Sequence, residues 1–381
     1  MSCALQREAA SAAADARDVH VLHLRQGAEL YGADRAVLAL SEAMPAPYAP
    51  IVGAIGRPGG PFVLADEAQR RGIEALRFES ASRFDLACAR AVAAAARERG
   101  VRLLHAHDYK ALFLAVVAGR LARIPVVATF HGDTQHTAAA RAYEAVARVL
   151  GNFTQGVAAV SRPLEGNLRR WVHAAPVVFV PNGLPLSRPL TRDEQLQARA
   201  SLGVAAGAFC LAVVGRLSEE KGHRVLFEAL RARGSRPVLL VAGDGPLRDA
   251  LRAAAQGIDA RFLGYVNEAR PVYAAADAIA IPSLREGLPL VALEALALGR
   301  CLVASAVGEL PVLLEGGAGL LVPAGDPAAL SEALATLENG ELRARIGARA
   351  IERARLYDVA AMVSAYAALY GRALSIPRTS A

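Results

Sequence analysis

Lysine is almost missing from this chain. Of its 43 basic residues only Lys110 and Lys221 are lysines, and the rest are arginine. A guanidinium forks onto planar partners, whereas an ammonium is a compact point charge on a flexible stem. The lysine kept in "GRLSEEKG" (residues 215–222), five residues after Arg216, therefore marks a turn that uses both kinds of cation. Cysteine is scarce too. Cys3, Cys88, Cys210 and Cys301 are scattered, which excludes a disulfide framework and a cysteine metal site and fits a reducing compartment. Aromatic residues are 5% of the chain and no basic run is interleaved with them, which argues against nucleic acid as a partner. No Asp-x-Asp occurs, which argues against a metal-held diphosphate. The longest uncharged run, 171–187, holds Pro176, Pro181 and Pro185 and is shorter than a membrane span needs. Residues 1–17 lack an apolar core followed by a cleavage site and read as a solvated tail, not a signal peptide.

What is present suffices for two domains with large cores: 381 residues, 54% hydrophobic and 21% charged. The net charge of +7 is uneven. Residues 1–187 hold 21 basic and 16 acidic side chains, net +5, and residues 188–381 hold 22 and 20, net +2. A solvated surface explains a surplus of this size, and so does attraction to an anionic ligand or membrane surface. The expected location is the cytoplasm, with peripheral contact to the inner membrane face as the electrostatic variant.

From Val19 onward, apolar runs of strand length alternate with helical patterns: "VHVLHL", "PIVGAI", "VRLLHAH", "IPVVATFHG", "GVAAV" and "VVFV" are strands separated by helical stretches. This alternation predicts a parallel sheet covered on both faces. The proline-rich stretch 181–195 reads as a linker, after which the alternation restarts with "AFCLAVVG", "PVLLVAG", "ARFLG", "DAIAIPS", "CLVAS" and "GAGLLVPAG". The expected organisation is a tail (1–17), a first doubly wound domain (18–187), a second (188–357) and a final helix (358–375). In open α/β sheets ligands sit at the carboxyl ends of strands, so function is sought in the loops that follow strands.

In "GRLSEEKG", Arg216 and Lys221 rise from a strand end beside the start of a helix, a combination suited to a diphosphate. The bland alternative is a surface turn in which Glu219 and Glu220 pair with Arg216. In "LREGLPLVALEALALG", Gly287, Leu288, Pro289 and Leu290 are expected to form a first helical turn that accepts a phosphate. Glu286 and Glu294, eight residues apart, then suit hydroxyls of a sugar and of a ribose; the alternatives are a helix cap and a buried structural carboxylate. In "AGDGPLRDAL", Gly243 and Gly245 turn the chain and Asp244 is a candidate cap. Gly264 and Tyr265, in "FLGY", follow a strand where a nucleobase can meet the backbone. In the first domain, Gly32 and His131 lie in loops facing the cleft. His105 and His107 share one strand face, but no third ligand is evident, so a metal is not expected.

In this order, "GRLSEEKG", "AGDGPL", "FLGYV", "IPSLREGLPLVALEALALG" and "VPAGDPAAL" resemble the retaining family 4 glycosyltransferases of GT-B fold, and Glu286 to Glu294 matches their E-x7-E motif. "TFHG", "AVS" and "VPNGLP" match the first domain and hinge, and the resemblance covers roughly residues 18–375. It implies a nucleotide-sugar donor as co-substrate, no further cofactor or metal, and a glycan, lipid-linked or small-molecule acceptor in bacterial surface glycan or glycolipid synthesis. It also implies roles: Arg216 and Lys221 on the leaving diphosphate, Glu294 on the ribose, Glu286 and His131 on the transferred sugar, and the final helix crossing back to the first domain. Where the family often has two glycines, this chain has Tyr31-Gly32. Rival readings are a nucleotide-sugar epimerase of the same architecture and a non-catalytic sensor of nucleotide sugars. A nicotinamide dehydrogenase would need a Gly-x-Gly-x-x-Gly set, and neither domain shows it.

Overall fold

Strands packed on both faces read as continuous apolar runs because no face meets water. The computed structural model, which describes residues 18–28, 30–132, 138–185, 187–233 and 236–375, shows two such sheets. The expected tail of residues 1–17 lies outside the described residues. The first sheet comprises β1 (Val19–Gln26), β2 (Tyr48–Gly56), β3 (Glu74–Glu79), β4 (Leu103–Ala106), β5 (Val126–Phe130), β6 (Gly156–Ala159) and β7 (Val177–Phe179). Its order is β3-β2-β1-β4-β5-β6-β7, all parallel. The second comprises β8 (Cys210–Val214), β9 (Val238–Ala242), β10 (Ala260–Gly264), β11 (Ala278–Ile281), β12 (Cys301–Ser305) and β13 (Leu320–Val322), in the parallel order β10-β9-β8-β11-β12-β13. The order reverses between β1 and β4 in one sheet and between β8 and β11 in the other. At these points adjacent loops diverge and leave a crevice. The whole is the GT-B fold.

Three elements go beyond the sequence reading. β3, "EALRFE", is an edge strand with exposed charges, so it lacks the apolar run that marks its neighbours. The stretch read as a linker to residue 195 ends sooner, because a helix spans Arg192–Ser201. Its capping box is explicit: Glu194 N donates to Thr191 Oγ1 at 3.2 Å and Thr191 N donates to the Glu194 carboxylate at 2.8 Å. A further helix, Gly340–Ala354, is capped by Asn339 and buries only small or isolated residues such as Ile346, Ala350 and Ala354.

The final helix, Val359–Ser375, covers the first sheet. Met362, Val363, Tyr366, Leu369 and Tyr370 pack on Val19, Val21, Leu103, Val127 and Ala158. The chain thus crosses between domains twice, and the crossings are bound to each other. Leu184 N donates to Tyr357 O at 3.2 Å, and Val359 N donates to Leu184 O at 3.1 Å. Gly183 permits this approach, since a Cβ there would lie 2.7 Å from Asp358 O.

Candidate active site

The two reversal points face each other across a cleft of about 520 Å³. Of the sequence-predicted residues, Gly32, His131, Arg216, Lys221, Tyr265, Glu286, Gly287, Leu288, Leu290 and Glu294 all line it. Gly264 does not; it turns the chain with φ +72° so that Tyr265 reaches the cleft.

The loop after β8 is shaped by glycine. Gly215 and Gly243 have φ of +152° and +146°, and a Cβ on Gly243 would collide with the carbonyl of Gly215. Two strand-end loops can therefore cross only without side chains. Lys221 was expected to start or precede a helix, and it precedes one: it ends a 3-10 turn, Glu219–Lys221, and the helix begins after Gly222 at His223. Gly222 (φ +65°) makes this break. Lys221 Nζ reaches Glu286 Oε1 at 2.6 Å, and Ser283 Oγ donates to the same oxygen at 2.7 Å. Arg216 lies over the ring of Tyr31, 4.9 Å from its centroid, in a contact that joins the domains. Asp244 does not cap a helix: its carboxylate accepts from Gly245 N and pairs with Arg248.

The predicted helical turn at Gly287–Leu290 also shifts. The helix is Leu290–Ala297 with Pro289 as its N-cap, so Gly287 and Leu288 precede it in a bend. Asn182 of the first domain's exit loop donates to Leu288 O at 2.9 Å. Glu294 accepts from Tyr273 Oη at 2.5 Å and from Arg35 at 3.5 Å. Burial pushes its carboxyl above the usual range, opposed by Tyr273 and Arg35. The same burial, with Glu294 beside it, raises the Tyr273 phenol. Arg35 comes from the first domain and also donates to Asn267 O at 2.7 Å. Sequence reading missed Arg35 and Tyr273, because nothing local separates them from surface and core residues.

In the first domain, Tyr31 is the N-cap of the helix Gly32–Ala43. A Cβ on Gly32 would meet nothing closer than Leu290 Cγ at 4.0 Å. The protein itself therefore leaves room at Gly32 on the wall of the cleft. Arg25, at the end of β1, donates to Asp34 Oδ1 at 2.5 Å and to His107 O at 2.9 Å. Burial holds the His131 imidazole down at about 3, with Arg25 adding to the effect. Among the described residues its Nδ1 is buried without a hydrogen-bond partner.

Expectation and structure differ on the histidines. A third imidazole does join His105 and His107: it is His23, from β1, with the three ring nitrogens within 4.8 Å of one another. These rings are bonded into the protein. His105 meets Tyr370 Oη at 2.7 Å and Thr129 Oγ1 at 2.8 Å, and His23 Nδ1 lies 3.0 Å from His107 Nε2. His23 escaped notice because its partners lie about eighty residues away on a neighbouring strand.

The sequence description Glycosyltransferase Family 4 matches residues 18–188, and Glycosyl transferases group 1 matches residues 208–339. A phosphatidyl-myo-inositol mannosyltransferase of Mycobacterium leprae is 35% identical, over 70% of this chain and 72% of its own. A D-inositol 3-phosphate glycosyltransferase of Corynebacterium glutamicum is 36% identical over 47% of each chain, so this chain spans about half the length of that relative in the match. Among solved structures, the Anabaena protein Alr3699/HepE in complex with UDP-glucose is similar with a TM-score of 0.81 at 23% identity, covering 92% of this chain and 99% of its own. At that identity the likeness is one of fold.

Proposed function

Because the chain belongs to glycosyltransferase family 4, the group 1 glycosyl transferases, we propose that it moves a sugar from a nucleotide-diphosphate sugar to an acceptor and keeps the anomeric configuration. The observation that carries this reading is the meeting of Arg216 and Lys221 with Glu286, Glu294 and the open space at Gly32 in one cleft. The two cations suit the diphosphate, on which negative charge grows as the bond to the sugar breaks; fixed charges are most effective where charge develops. Glu294, held by Tyr273 and Arg35, suits a ribose. Glu286 suits the transferred sugar's hydroxyls, since it stands beside Lys221 on the leaving-group side, and a covalent nucleophile would have to attack from the opposite face. The leaving phosphate then takes the acceptor's proton on the face it vacates.

Two cations replace a divalent ion in this scheme. Transfer from a panel of nucleotide sugars, UDP-glucose included, is expected to proceed in EDTA and to give a product whose anomeric signal by NMR matches the donor's. An inverted product, or activity restored only by Mg²⁺ or Mn²⁺, would sink this reading.

The acceptor we propose is a glycolipid, following the phosphatidyl-myo-inositol mannosyltransferase relative. Among the described residues no helix is long and apolar enough to cross a membrane. The first domain does expose Leu121, Val146, Val149, Phe153 and Trp171, with Arg120 over the ring of Phe153 at 4.7 Å. Apolar and aromatic tips beside arginines suit an anionic bilayer interface. The protein is expected to float with anionic liposomes at low salt and to release at high salt. Failure to float at low salt would point to a water-soluble acceptor.

A further inference from the structure

Four of the chain's 8 histidines meet in the first domain, and three of them stand in file. His23 Nδ1 lies 3.0 Å from His107 Nε2, and His107 Nδ1 lies 3.3 Å from His131 Nε2. The file begins in the core, where His23 is fully buried, and ends at His131 on the cleft. Among the described residues, the two end nitrogens, His23 Nε2 and His131 Nδ1, are buried without partners. His105 stands beside the file. Its own nitrogens are taken by Tyr370 and Thr129, and its ring centroid lies 3.8 Å from that of His107, which leaves His107 little freedom to turn. The charged groups beside the file are Arg25, which donates to His107 O and disfavours a further positive charge, and the carboxylates that face Arg25, Asp34 at 2.5 Å and Asp108 at 3.9 Å.

A neutral imidazole has one N–H and one lone pair, so a file of three has a single direction. If each ring donates toward the core, the N–H of His23 Nε2 is left pointing at nothing. If each ring donates toward the cleft, the group left over in the core is a lone pair, and the spare N–H belongs to His131 Nδ1. Either direction leaves one spare N–H, so the choice rests on place: His23 is fully buried in the core, where no acceptor can arrive, whereas His131 lines the cleft. The second direction also puts its spare donor where a ligand oxygen can receive it.

We propose that His107 and His23 are positioning residues that hold His131 in the Nδ1–H form, so that the cleft meets a hydrogen-bond donor there and not a base. Two consequences follow for chemistry. His131 takes no proton from the acceptor, and an oxygen of the bound donor sugar receives the Nδ1–H. Both consequences rest on the proposed function; the hydrogen-bond direction does not.

The test uses the full chain labelled with ¹⁵N-histidine, without ligand, and two-bond ¹H–¹⁵N correlations that separate N–H from lone-pair nitrogens. His131→Asn assigns the His131 signals. The expected wild-type pattern is a protonated Nδ1 and an unprotonated Nε2 at His131, constant between about pH 6 and 8. His107→Leu removes the donor to His131 Nε2 and should give a mixture of tautomers. His107→Asn sets an amide nitrogen near the position of Nδ1 and should restore the single form. An Nε2–H form or a doubly protonated ring in the wild type overturns the proposal, as does an unchanged His131 spectrum in His107→Leu. If His107→Leu does not fold, the wild-type spectrum decides alone. The Nδ1–H pattern supports the assignment even in a protein that turns over no nucleotide sugar.

Discussion

Lys221→Ala is expected to lower turnover by about 10²- to 10³-fold, the loss typical of a fixed charge that stabilises a transition state. The geometry argues for the upper part of that range. Lys221 Nζ is 2.6 Å from Glu286 Oε1, so its removal does two things. In the proposed reaction it takes a positive charge from the departing phosphate, and it leaves the Glu286 carboxylate less compensated. Ser283 still donates to that carboxylate but carries no charge. Adding Glu286→Gln to Lys221→Ala should therefore recover part of the loss, a coupling a double-mutant cycle detects. Near-wild-type turnover in Lys221→Ala would remove the diphosphate assignment. A double variant no better than the strict sum of the two single changes would remove the electrostatic coupling.

Gly287→Ala is expected to abolish most turnover without unfolding either domain. A Cβ at Gly287 would run into the carbonyl oxygen of His131 and lie 3.1 Å from Val160 Cγ2. Both neighbours belong to the opposite domain, and the first is backbone that cannot swing aside. The conflict is relieved by parting the cleft. A displacement of about 1 Å at a reacting centre can cost on the order of 10²-fold in rate. Arg216, Lys221 and Glu294 lie on the same side of the cleft as Gly287, so protection against heat by whichever nucleoside diphosphate protects the wild type should change much less than kcat. The thermal midpoint without ligand should stay close to wild type, because the cores are untouched. Full turnover in Gly287→Ala would show that this contact is not made in the working enzyme.

Much of the site was legible because its parts are local. Arg216 and Lys221 share one loop, and Glu286 and Glu294 one loop and helix, so short stretches reveal them. The partners that organise these residues were not legible. Tyr31 under Arg216, Arg35 on Glu294, and His23 behind His107 are each made by approach of distant segments. Sequence periodicity carries no such information. The apolar strands were readable for the same local reason, and β3 was not, since a half-exposed edge strand with Glu74, Arg77 and Glu79 lacks their signature. The start of the donor-side helix was misplaced by three residues because Gly287-Leu288-Pro289 reads equally well as a first turn or as an approach to one.

The final helix imposes an order on synthesis. The first sheet is complete once Phe179 has been made, yet the apolar face at Val19, Val21, Leu103 and Val127 stays uncovered until Val359–Ser375 arrives. Between the two lies the whole second domain. At ribosomal speeds of about 5–20 residues per second, that interval lasts on the order of ten seconds or more. During it the first domain holds its strands but not its lid, and the exposed face is free to meet other chains. The domain that begins first is therefore finished last, and a nascent chain stalled within the second domain offers holdase chaperones the surface that the mature protein hides beneath Tyr366 and Tyr370.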